Sequence, residues 1–107
     1  MSVTHLNDQN FEQSLSELGG TVLIDFWAPW CAPCRAMSGI VDEVAAESDA
    51  NASVVKANVD ESPQAAQKFG VHSIPAFFVV QDGEVKERFS GVVSKQKLLE
   101  AVGVNAN

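Results

Sequence analysis

The chain has 107 residues, 46% of them apolar, and a formal net charge of −7 from 14 acidic and 7 basic side chains. This suits one globular domain over residues 1–107 with a real core, and it argues against nucleic acid or an anionic membrane surface, which both call for a basic partner. No apolar run reaches the roughly 18 residues of a membrane span, and the start Met1-Ser2-Val3-Thr4-His5 lacks the regions of a signal peptide, so a cytoplasmic protein is expected.

In chain order, residues 3–6 alternate and predict a short edge strand. Asn7 or Asp8 is expected to cap a helix over about 9–18, with Phe11, Leu15 and Leu18 on one face, and Gly19-Gly20 ends it. Residues 21–27 are nearly all apolar, the pattern of a central strand covered on both faces, broken only by Asp25. After Trp27-Ala28-Pro29-Trp30-Cys31-Ala32-Pro33-Cys34-Arg35, a helical pattern over about 34–48 carries Met37, Ile40, Val41, Val44 and Ala45, with Ser38-Gly39 as a weak point where it could bend. A second buried strand over 53–59 is interrupted by Lys56. Pro63 opens a helix to about 69 that Gly70 stops. A loop over 71–75 ends in Pro75. Asp82-Gly83 joins strands 76–81 and 84–89 as a hairpin. Ser94 caps a last helix over about 95–102, with Leu98, Leu99 and Val102 facing inward. The order βαβαβαββα predicts an α/β sandwich with a mixed sheet.

Cys31 and Cys34 are the chain's two cysteines, and they fall at a strand-to-helix junction. In a compartment that keeps thiols reduced, such a pair points to redox or metal chemistry in preference to a structural staple. Side chains three apart on a helix are neighbours, within the Cα separation of about 4.4–6.8 Å that a disulfide needs. The sequence thus describes a dithiol that can open and close, and Pro33 fits the first helical turn. Free N–H groups at the helix start favour a thiolate at Cys31. Cys34, a turn further in, should be more buried and less ionised. Cys31 is therefore the expected nucleophile and Cys34 the resolving thiol. Half of a zinc site is the competing reading. Structural zinc takes four ligands, the chain has no second C-x-x-C, and His5 and His72 stand apart from each other and from the cysteines, so no metal is expected.

Burial in the strand should raise the Asp25 pKa toward neutrality, suiting it to exchange a proton with Cys34. Lys56, in the neighbouring strand, is its expected counter-charge. A structural ion pair is the plainer alternative. Trp27 belongs to the core, whereas Trp30, in the turn, is expected at the surface against a partner.

Together these residues resemble the thioredoxin family along nearly the whole chain. The family's W-C-G-P-C-K motif appears as Trp30-Cys31-Ala32-Pro33-Cys34-Arg35. The D-F-W-A run (Asp25 to Ala28), Lys56, Ile74-Pro75 and Phe89-Ser90-Gly91 follow at family spacing. Ala32 and Arg35 depart from the usual glycine and lysine, and Gly39 stands where many members have proline. The resemblance implies the thioredoxin fold, a central mixed β-sheet with helices on both faces, and a cis bond before Pro75 that sets Ile74 and the Ser73 backbone beside Cys31. It also implies a substrate surface of Trp30, Ala32, Pro33, Ser73, Ile74, Pro75 and Gly91, and a functional Asp25–Lys56 pair. The activity implied is reduction of protein disulfides by a chain that binds no cofactor, its electrons coming from NADPH through thioredoxin reductase. A monomer is expected, since the sequence shows no exposed apolar stripe. An oxidase or isomerase on the same fold, or a non-catalytic interaction subunit, are the rival readings. The first more often carries histidine between its cysteines, and the second would have no need of Cys31, Cys34 and Asp25.

Overall fold

The computed structural model describes residues 3–48 and 52–104; the chain's ends, and with them part of the 1–107 span, lie outside the described residues. Its elements are β1 (Thr4–Leu6), α1 (Phe11–Leu18), β2 (Thr21–Trp27), α2 (Ala32–Glu47), β3 (Ser53–Asn58), α3 (Pro63–Lys68), β4 (Ala76–Gln81), β5 (Glu84–Ser90) and α4 (Lys95–Ala101). The expected element order is reproduced. The five strands lie in the order β1-β3-β2-β4-β5. β1, β3 and β2 are parallel, whereas β4 runs antiparallel to both of its neighbours, β2 and β5.

β2 sits in the middle because its side chains are apolar on both faces. Val22, Ile24 and Phe26 enter one core with Phe11 of α1, Ala65 of α3 and Phe78 and Val80 of β4. Leu23 enters the other, with Met37, Val41 and Val44 of α2, Phe77 and Val79 of β4 and Leu98 of α4. The alternation follows the two-residue period of a strand. Phe11, Phe26, Phe69 and Phe78 form one aromatic cluster, with ring centroids 5.1–6.0 Å apart in contacting pairs. Asp82 and Gly83 both have positive φ (50° and 89°), the tight turn that matches strand twist. Val79 pairs with Glu87 and Val80 with Val85, so Lys86 bulges from β5.

Several local expectations are corrected. The N-cap of α1 is Asn10, not Asn7 or Asp8. Asn7 Oδ1 instead accepts from the N–H groups of Gln9 and Asn10. The Asp8 carboxylate accepts from the N–H groups of Gln64 and Ala65, both at 3.0 Å. It thereby caps α3, whose own N-cap, Ser62, makes no side-chain cap bond. Leu18 is exposed, so the buried face of α1 rests on Phe11 and Leu15. α2 starts at Ala32, two residues earlier than predicted. A Cβ at Gly39 would meet nothing within 4 Å, so packing does not demand glycine there.

Candidate active site

β2 ends at Trp27, and a short turn leads into α2. The Cys31 N–H donates to Ala28 O at 3.1 Å, and Cys31 is the N-cap of α2 with extended backbone (φ −94°, ψ 110°). Its Sγ accepts from the Cys34 N–H at 3.2 Å, in the role an N-cap oxygen usually plays. The two cysteines are joined as a disulfide with Cα atoms 5.2 Å apart, and both are buried. Pro33 lies in the first turn, where its missing N–H leaves nothing unpaired. One turn on, Arg35 Nη1 donates to Pro29 O at 2.9 Å and clamps the turn that carries Trp30. Ala32, Pro33 and Arg35 face solvent.

Trp30 is 66% exposed, with its Nε1–H held by Asp60 Oδ2 at 3.0 Å. Trp27 is half-buried against the cysteines, beside Val59 and Ile74. The Ile74–Pro75 bond is cis, and Ile74 O lies 3.8 Å from Cys31 Sγ. Pro75 is buried, Ile74 half-buried and Ser73 exposed in the same loop. The Gly91 N–H donates to Pro75 O at 2.8 Å, and φ is 83° at Gly91, a region that suits a residue without Cβ. Cys31, Ile74, Pro75 and Gly91 are thus linked contact by contact, with Trp30 on the adjoining turn.

Behind the disulfide, strand register lines up His5 of β1, Lys56 of β3, Asp25 of β2 and Phe77 of β4. Asp25, Lys56 and His5 line one cleft of about 430 Å³ with Trp27, Cys34, Arg35, Ser38 and Asp42. Asp25 is 2% exposed. Its pKa is raised from 3.8 to about 7, chiefly by burial, with Lys56 pulling it down and Asp42 pushing it up. The expected ion pair between Asp25 and Lys56 is not formed. Lys56 Nζ donates to Ser38 Oγ at 3.0 Å and pairs with Asp42 Oδ1 at 3.3 Å. The reason is geometric: α2 crosses this face of the sheet and offers the flexible ammonium a site nearer solvent. His5, expected to stand apart from the cysteines, shares the cleft with Cys34. Among the described residues, no three His, Cys, Asp or Glu side chains gather as metal ligands.

Reading by sequence missed Ser38, Asp42 and Asp60. A signal for the first two existed, since Cys34, Ser38 and Asp42 are spaced four apart and so share one helix face. Nothing local marked Asp60, which lies 30 residues from Trp30.

The family model described as Thioredoxin matches residues 2–103. The chain is 42% identical over 98 residues to "Thioredoxin" of Pyropia yezoensis, covering 92% of each chain. It is 37% identical over 101 residues to "Thioredoxin 1" of Nostoc sp., covering 94% of each. It is 41% identical over 97 residues to "Thioredoxin M-type, chloroplastic" of Chlamydomonas reinhardtii, covering 91% of this chain and 69% of that protein. The cysteine pair at a helix start and the match along almost the whole sequence lead to one conclusion: this chain belongs to the thioredoxin family and is a thiol–disulfide oxidoreductase, a protein-disulfide reductase.

Proposed function

We propose that the cycle divides between the two sulfurs according to their place on α2. In the reduced protein, the Cys31 thiolate attacks a substrate disulfide, forms a mixed disulfide and releases the first substrate thiolate, which takes a proton from water. Cys34 then passes its proton to Asp25 and attacks Cys31 Sγ. The Cys31–Cys34 disulfide closes, the second substrate sulfur leaves as a thiolate that takes a proton from water, and two electrons have moved from protein to substrate. The observation that carries this reading is the Cys34 N–H directed at Cys31 Sγ at 3.2 Å. It would stabilise a negative sulfur there and not at Cys34. The Asp25 pKa of about 7 supports its role as proton acceptor, since a group poised near the working pH exchanges protons best. Lys56 adjusts that carboxyl through its charge.

The substrate surface in this reading is Trp30, Ala32, Pro33, Ser73, Ile74, Pro75 and Gly91, with the backbone before Pro75 pairing strand-like to the peptide around its disulfide. The exposed Trp30 and the contact of Ile74 O with Cys31 Sγ support it. Recycling would come from thioredoxin reductase at the expense of NADPH. The chain would work in the cytoplasm as a one-domain monomer, without a bound cofactor and without a nucleic-acid or membrane partner.

The test is trapping with a disulfide-linked peptide. Cys34→Ser should accumulate a mixed disulfide through Cys31, seen as an added mass. Cys31→Ser should neither reduce the peptide nor form the adduct. An adduct in the second variant and none in the first would reverse the roles.

A further inference from the structure

Lys56 is the register partner of Asp25 across β2 and β3, yet its ammonium bonds elsewhere. Nζ is held between Ser38 Oγ at 3.0 Å and Asp42 Oδ1 at 3.3 Å, while buried Asp25 Oδ1 has no hydrogen-bond partner among the described residues. A buried carboxyl next to an ammonium is ordinarily paired with it, because an unpaired buried charge is costly. Here two side chains one helical turn apart draw the ammonium outward. The Asp42 side chain is 61% exposed and that of Lys56 only 8%, so the lysine leans from the interior toward the cleft's outer wall.

We propose that Ser38 and Asp42 are positioning residues for the proton step: by anchoring Lys56 Nζ on α2, they keep the ammonium off the Asp25 carboxyl and leave that carboxyl free to take the proton of Cys34. This rests on reading Asp25 as the proton acceptor. Anchored, Lys56 acts on Asp25 only through space. Released, it pairs with the carboxylate, holds it ionised and makes it a poorer base. The other titratable or charged groups on the cleft are His5 from β1 and Cys34 and Arg35 from α2, while β4 places apolar Phe77 beside Asp25. Among the described residues, Lys56 is therefore the one cation both adjacent to Asp25 in the sheet and held by α2.

The experiment follows the Asp25 carboxyl carbon by NMR across pH in the reduced protein. It compares the native chain, Ser38→Ala/Asp42→Asn, and the same pair of changes with Lys56→Met. Ser38 is half-buried and Asp42 exposed, so the double variant keeps its core. Its Asp25 midpoint should fall by about one pH unit or more, the effect of a carboxylate gaining a direct cationic partner. With Lys56→Met as the reference, the same two changes should move the midpoint by less than half as much. An unmoved midpoint overturns the proposal. So does a shift that persists in full without Lys56, which would assign the effect to the Asp42 charge alone. The acceptor role fails on a different measurement: if Asp25→Asn leaves the pH dependence of Cys34 attack on a trapped mixed disulfide unchanged, Asp25 is not the base, whatever its titration shows.

Discussion

Replacing Asp25 by Asn should make the oxidised protein more stable, by an amount that depends on pH in a defined way. Asn matches Asp in size and carries no charge at any pH. In the native chain, the Asp25 pKa is 3.8 as a free side chain and about 7 in the fold, with burial the largest cause. Well below pH 3.8, the carboxyl is neutral whether the chain is folded or not, and its charge costs nothing. Between 3.8 and about 7, the unfolded chain releases the proton while the folded chain keeps it, so stability falls as pH rises. Above about 7, both states are ionised and the full burden of a buried charge remains. At about 1.4 kcal/mol per pH unit, that burden is about 4 kcal/mol. Urea unfolding of both oxidised proteins at pH 4 and pH 8 measures it. The joined cysteines do not titrate, and any fixed cost of a buried amide cancels between the two pH values. The native chain should lose about 4 kcal/mol relative to Asp25→Asn over that span. Parallel stability curves, differing by less than about 1 kcal/mol in their pH dependence, would refute the account of Asp25 as a carboxyl whose pKa burial raises to about 7.

Two further outcomes follow from contacts described above. Asp8→Ala should cost about 1–2 kcal/mol in urea unfolding, because it frees two N–H groups at the start of α3, whereas a loss below about 0.3 kcal/mol would show that solvent caps that helix equally well. Trp30→Ala should raise KM for a peptide disulfide by about tenfold, the scale of a lost aromatic contact, with kcat and stability little changed, since Trp30 is mostly exposed; a fall in kcat at constant KM would place the ring in the chemistry and not in docking.

The elements were legible because they rest on periodicity within one segment. The unbroken apolar run of β2 and the three- and four-residue spacing of Met37, Val41 and Val44 each report burial that neighbours in sequence share. The dithiol was legible for the same reason, its partners lying three residues apart. What escaped were choices between elements. Asp8 has a helix start immediately after it and another 56 residues on, and only the packing of α1 beside α3 decides which N–H groups it caps. Lys56 was assigned to Asp25 because strands 2 and 3 were expected to be neighbours, which they are. A long flexible side chain, however, follows the polar groups of the layer above the sheet, and strand pattern does not reveal those. His5 reached the cleft through the place of β1 beside β3, a fact of topology and not of local sequence.

The two borders of the sheet bear on how such a molecule behaves when crowded. An open sheet risks stitching itself to copies of itself through any border strand with unpaired N–H and C=O groups. Here β1 is three residues long. β5 carries exposed Glu84, Lys86, Glu87 and Arg88, with Lys86 thrown out of register. One border is too brief to template a strand, and the other is bent and charged. Ribbon-like growth is therefore disfavoured from either side of the sheet.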